Sequence, residues 1–108
     1  MRRERFGPFI VEVPQTRRER ARGLLGRSGL EPNEGLLLER TRSVHTFGMR
    51  FPIDAVLLDR DERVIDVVRL PPNRVLLPRR RVRAVIEVAA GQGRRFTPGS
   101  WRRKYHSR

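Results

Sequence analysis

DAVLLDRDERVIDVVRL, residues 54 to 70, decides the class of the fold. Two apolar runs flank the polar DRDE. The pattern predicts a strand over 54–59, a hairpin turn over 59–62 and a returning strand over 63–70. The first run is nearly continuously apolar, as a strand covered on both faces requires.

Toward the N-terminus, GLLLER (35–40) reads as a further strand, and FIVEV (9–13) as a short one stopped by Pro14. Between them, Thr16 and Glu19 have the spacing of a capping box, each side chain able to satisfy a free amide at a helix start. A helix is expected from about Arg17 to Leu25, ended by Gly26 or Gly29. Ala21, Leu24 and Leu25 give it a narrow apolar face, and Gly23 in its interior suits a close contact with the sheet.

Toward the C-terminus, PPNRVLLPRRR (71–81) is a proline-bearing loop and VRAVIEVAA (82–90) the last strong strand. Gly91-Gln92-Gly93 turns the chain, and RRFTPGSW returns as a short strand. One helix among strands joined by tight turns predicts an α+β domain: a small, mostly antiparallel, barrel-like sheet with one N-terminal α-helix packed on it. The 108 residues suit one domain. Residues 1–8 read as a basic arm, 9–100 as the domain and 101–108 as a basic tail.

Cysteine is absent, which excludes disulfides, thiolate metal sites and cysteine nucleophiles. No stretch has the apolar length of a membrane span. The start, MRRERFGPFIVEV, lacks the apolar run of a secretory signal. A cytoplasmic protein without a membrane partner is expected. The formal net charge is +13, and Lys104 is the only lysine among 25 basic residues. Arginine suits phosphate, carboxylate and aromatic surfaces. A nucleic acid or another polyanion is therefore one candidate partner. The residues for it would be Arg79, Arg80, Arg81 and Arg83, with Arg102, Arg103, Lys104 and Arg108 of the tail. The same excess also produces non-specific adhesion at low salt, which needs only charge.

Three carboxylates interrupt the apolar strands: Asp54, Asp66 and Glu87. A buried carboxylate costs several kcal/mol unless paired or protonated. At least one of the three is expected to meet a cation, with Arg50 and His45 the nearest candidates along the chain. One reading is a polar pocket of His45, Arg50, Asp54 and Glu87 that binds a small ligand or moves a proton. The other is a salt-bridged corner in which Asp54 accepts backbone amides, and edge charges that guard against aggregation.

The stretch before Asp54, HTFGMRFP (45–52), lacks clean periodicity. Pro52 holds Phe51 extended and Gly48 permits a bend. Phe47, Met49 and Phe51 are candidates for burial, although exposed Phe47 and Phe51 could stack on bases. One histidine and scattered acids give no metal-ligand spacing. No glycine pattern resembles a phosphate loop and no serine sits at a nucleophile elbow, so no cofactor is implied.

ARGLLGR (21–27), SVHTFGMRFPIDAVLLD (43–59) and VIEVAAG (85–91) resemble, in order and spacing, the signature segments of the DUF192 family, also called UPF0127. The resemblance covers about Phe9 to Ser100. It implies a compact, β-rich α+β domain and carries no agreed catalytic residue onto any position here. Two departures stand out. Phe47-Gly48-Met49-Arg50 lies where many members have an aromatic-tryptophan-methionine-lysine run, and Glu62 lies where the family often has a hairpin glycine.

The leading expectation is a binding module for a small ligand or protein partner at the 45–54 loop. Arg50 would clamp an anion, His45 and Asp54 would form a hydrogen-bonded pair, and Phe47 and Met49 would be walls, with Glu87 nearby. Polyanion binding by the arginine surface is the alternative. Acid/base catalysis by His45 and Asp54 comes third.

Overall fold

The computed structural model describes residues 1–100. The hairpin of the opening stretch is present as β5 (Ile53–Leu58) and β6 (Val64–Leu70). Asp59 closes its turn by accepting the amides of Asp61 and Arg63 on Oδ1, and Glu62 takes φ 61° to complete it. β5 is buried at all six positions, because it is flanked on its other side by β8 (Ala84–Ala89).

The remaining strands extend the sheet away from β5. β8 pairs antiparallel with β3 (Glu34–Glu39), and β3 pairs parallel with β2 (Phe9–Val13). The crossover between β2 and β3 carries the helix α1 (Arg17–Arg22). The expected capping box is formed: Thr16 accepts the Glu19 amide, and the Glu19 carboxylate accepts the Thr16 amide. Residues read from sequence as a basic arm form β1 (Arg2–Phe6), which turns at Gly7 and pairs antiparallel with β2. The sheet order is β1-β2-β3-β8-β5-β6. A two-stranded ribbon lies apart from it, β4 (Val44–His45) with β7 (Val75–Leu76).

This architecture corrects the expected α+β barrel with a packed N-terminal helix. The sheet is mixed and open, with β1 and β6 as its edges, and the protein is mostly β. The helix has six residues and none is buried. Its arginines leave it no apolar face, and Gly23, at φ 48°, ends it before Leu24 and Leu25 can join. Leu24 is instead buried from the segment that follows. Over its described part, Arg94 to Ser100, RRFTPGSW is also not a strand, and Trp101 lies outside the described residues: residues Gln92–Arg95 form a short 3-10 helix, and Gly99 and Ser100 bond to the backbone of Val64.

Side chains alternate across the pleat, so the sheet has two apolar faces. One buries Phe6, Phe9, Val11, Val56, Leu58, Ile86 and Val88 beneath Phe96, whose ring stacks on Phe9 at 4.7 Å. The other buries Leu36, Ile53, Ala55, Leu57 and Val85 beneath Leu24, Val44, Met49 and Leu76. The second face carries the candidate site.

Candidate functional site

The three strand acids have three different environments. Asp66 is half exposed and pairs with Arg79 at 2.8 Å. That hydrogen bond, with help from the Val67 amide, holds its carboxyl below the ordinary aspartate range. It is a surface ion pair.

Asp54 is buried on the Phe96 face. Its Oδ2 accepts the amides of Gly91 at 2.8 Å and Gly93 at 3.0 Å, and its Oδ1 accepts Arg69 Nε at 2.5 Å. The chain approaches so closely that a Cβ on Gly93 would lie 2.4 Å from Val67 Cγ1 and 2.8 Å from Asp54 Cβ. Asp54 therefore latches the segment after β8 onto β5. The cation it meets is Arg69, the residue directly across the β5–β6 ladder, and not Arg50 or His45.

Glu87 lies on the opposite face. Register sets Ala55 and Leu36 on either side of it, so its strand neighbours are apolar. It is 4% exposed and no hydrogen bond or ion pair is formed by its carboxyl among the described residues. Burial alone pushes that carboxyl up to about 7. A raised affinity for the proton is the physical response of a carboxyl that is largely buried and makes no ion pair among the described residues.

The carboxyl lines a cleft of about 180 Å³ on the Leu24 face. Leu24, Leu25, Leu38, Val44 and Met49 supply apolar walls, and Arg20, Arg22, Ser43 and His45 supply polar groups. His45 and Phe47 stand at its edge as exposed, stacked rings, 5.4 Å between centroids. The His45 ring nitrogen Nδ1 accepts the Phe47 amide at 3.3 Å. Arg20 is already committed, donating to the Glu39 carbonyl and to Thr41 Oγ1.

The 45–49 loop holds this shape because Thr46 anchors it. Thr46 is fully buried. Its hydroxyl donates to the Pro71 carbonyl at 2.6 Å and accepts the Arg74 amide at 2.9 Å, while its own carbonyl accepts the amides of Met49 and Asn73. Asn73 Oδ1 also accepts the Gly48 amide. The two-residue ribbon of β4 and β7 continues this tether.

Four of the six residues proposed from sequence thus share one cleft: His45, Phe47, Met49 and Glu87. Arg50 is exposed and outside its lining, and Asp54 faces the other side of the sheet, so the His45–Asp54 pair is not formed. Sequence reasoning missed Thr46 and the walls contributed by Leu24, Leu25 and Leu38. Only the alternation of VIEVA, which puts Glu87 on the face of Val85, pointed toward this side. Among the described residues no group of three His, Cys, Asp or Glu residues is placed to hold a metal ion, and no helix is long and apolar enough to cross a membrane.

Of the arginines proposed for polyanion binding, Arg79 is paired with Asp66, and Arg83 donates to the carbonyls of Arg80 and Val82. Arg80, Arg81 and Arg83 line a shallow groove with Arg60, Asp59 and Asp61. Arg102, Arg103, Lys104 and Arg108 lie outside the described residues.

Known proteins share this architecture. A crystal structure of a protein of unknown function from Novosphingobium aromaticivorans superposes with a TM-score of 0.74 at 26% identity, over 84% of this chain and 71% of that one. A Sinorhizobium meliloti protein, provisionally described as a transcription regulator, superposes with a TM-score of 0.72 at 25% identity, over 84% of this chain and 78% of that one. A UPF0127 protein of Pyrococcus horikoshii is 43% identical over 49 residues, which span 45% of this chain and 43% of that relative. The profile of DUF192, described as uncharacterized ACR, matches residues 2–99. With that match running through every strand of the sheet, the chain belongs to the DUF192 family.

Proposed function

We propose that this protein is a small-ligand-binding module whose site is the cleft between the α1–β3 segment, the 45–49 loop and the sheet. The observation that carries the reading is Glu87. A carboxyl buried among apolar strand neighbours, without a partner among the described residues, destabilises the free protein and is relieved by a ligand that supplies the missing hydrogen bonds. Apolar walls with a few convergent polar groups and a perturbed acid are the usual composition of such sites.

The test is a fragment screen followed by amide shifts in proton–nitrogen correlation spectra. Ligands are expected to move Val44, Phe47 and Met49 and to lose that effect in Ser43→Trp, which fills the cleft. A screen whose hits move only residues 79–83 would sink the reading.

The runner-up is polyanion binding. What favours it is the groove of Arg60, Arg80, Arg81 and Arg83, beside the description of one structural relative as a provisional transcription regulator. Asp59 and Asp61 in the same groove, and the commitment of Arg79 and Arg83 to other partners, count against it. Fluorescence anisotropy with labelled oligonucleotides decides the matter. Binding that persists near physiological salt and weakens in Arg80→Ala/Arg81→Ala supports it, whereas binding lost on adding salt reduces it to charge alone.

A further inference from the structure

Resting on the cleft as a binding site, we propose that its ligand is a small, flat, uncharged heterocycle with a lactam edge, an N–H beside a C=O. The edge would dock on the Glu87 carboxyl and the ring would lie against the His45–Phe47 pair.

The floor selects the edge. Below about pH 7 Glu87 keeps its proton, and the protonated carboxyl presents an O–H donor and a carbonyl acceptor side by side. A lactam presents the matching acceptor and donor, so two hydrogen bonds form without moving charge into the site. A carboxylate ligand could meet Arg20 or Arg22 of the lining, but it has no N–H to offer the Glu87 carbonyl, and it would set a second acid against that carboxyl between apolar Leu36 and Ala55. An ammonium ligand would have to pass Arg20 and Arg22 at the rim of a chain of net charge +13, against the field of the protein. A hydrocarbon would leave the carboxyl as unpartnered as before.

The walls select the shape. The cleft of about 180 Å³ is close to the roughly 150 Å³ apolar cavity that holds benzene in another protein, so one six-membered ring fits. His45 and Phe47 are already parallel to within 28° and exposed, as a stacking surface must be. The charged and titratable groups that face Glu87 across the cleft are Arg20 and Arg22 of α1 and His45 of β4.

The test titrates 2-pyridone against benzylammonium, benzoate and toluene, following the amides of Val44, Phe47 and Met49 at about pH 5.5 and about pH 8.5, either side of the Glu87 transition. 2-Pyridone is expected to bind roughly tenfold more tightly than the others at the lower pH, and to weaken roughly tenfold at the higher. Glu87→Gln keeps a donor beside an acceptor, so it retains binding and loses the pH dependence. Glu87→Met loses binding. His45→Phe keeps a ring and removes the imidazole, so the pH dependence survives in it. Preference for benzylammonium, benzoate or toluene, with the cleft amides still shifting, overturns the lactam assignment and leaves the binding site standing. If none of the four compounds moves those amides, the assignment and the site fall together.

Discussion

Glu87 and Asp54 sit on adjacent strands one register step apart, and their carboxyl groups leave the sheet on opposite faces. Glu87 is cross-strand from Ala55, so Asp54 must point away from it. One acid is fully employed by two amides and a guanidinium, and the other has no partner among the described residues. The same sheet therefore separates a structural carboxylate from a functional candidate by a single residue of alternation.

The unpartnered acid predicts the pH dependence of stability. Between the ordinary glutamate range and about 7, folded Glu87 keeps a proton that the unfolded chain has released. The contribution of this group to stability is full below about pH 4.5 and is lost as pH rises toward 7. The loss is about 1.4 kcal/mol for each tenfold fall in proton concentration across that window. Urea unfolding is expected to show a midpoint that falls with pH in the wild type and changes much less in Glu87→Gln. Equal slopes in the two proteins would mean that Glu87 is paired in solution.

Asp54 and Arg69 are predicted to be unequal partners. Asp54→Asn weakens the acceptor for two backbone amides within a buried corner and should cost about 2–3 kcal/mol. For a domain of this size that is a fall in Tm of roughly 10–20 °C. Arg69 is more than half exposed, so Arg69→Ala should cost about 1 kcal/mol or less. Calorimetry of both variants checks the order; a larger loss for Arg69→Ala would show that the ion pair, and not the amide latch, holds the corner.

Elements whose chemistry is local are legible in the sequence. The Thr16–Glu19 capping box and the hairpin around DRDE both form as expected, because a few neighbouring residues determine them. The features that escape the sequence depend on distant partners. RRERF reads as an arm because charge dominates it, yet its backbone is satisfied by pairing with FIVEV, and its charges suit an exposed edge strand. The helix is shorter than its pattern suggests, because propensity alone does not reveal that Gly23 adopts a positive φ. At the site, proximity in the chain pairs Asp54 with His45, whereas its amide partners lie 37 and 39 residues away. Glu87 stands out in VIEVA as an acid among apolar residues, but that its strand neighbours are Leu36 and Ala55, with no ion pair formed among the described residues, is a property of the register and is not visible there.

Thr46 is predicted to be the tether of the cleft. Thr46→Val keeps the shape and removes the hydroxyl, leaving the Arg74 amide and the Pro71 carbonyl without that partner. The cost should be about 1–3 kcal/mol, and the loss should be local as well as global. Hydrogen exchange at Met49 and Asn73, whose amides bond to the Thr46 carbonyl, is expected to accelerate more than exchange in β5. Uniform acceleration across the sheet would mean that the hydroxyl stabilises the whole domain without specifically holding the loop.

Glu62 offers a stabilising substitution in the hairpin. At φ 61° a side chain with a Cβ is strained, and burial, with the nearby Glu39 charge, pushes its carboxyl up. Glu62→Gly relieves the backbone strain but also removes whatever the side chain contacts, so the informative comparison is with Glu62→Ala. Alanine deletes the carboxylate and keeps the Cβ. Glycine is therefore expected to exceed alanine in stability by about 1 kcal/mol, the strain relief outweighing its greater freedom in the unfolded chain. Denaturant midpoints with unchanged m-values would measure it. If alanine proved equal or better, the turn would have to relax to a negative φ once the glutamate is gone.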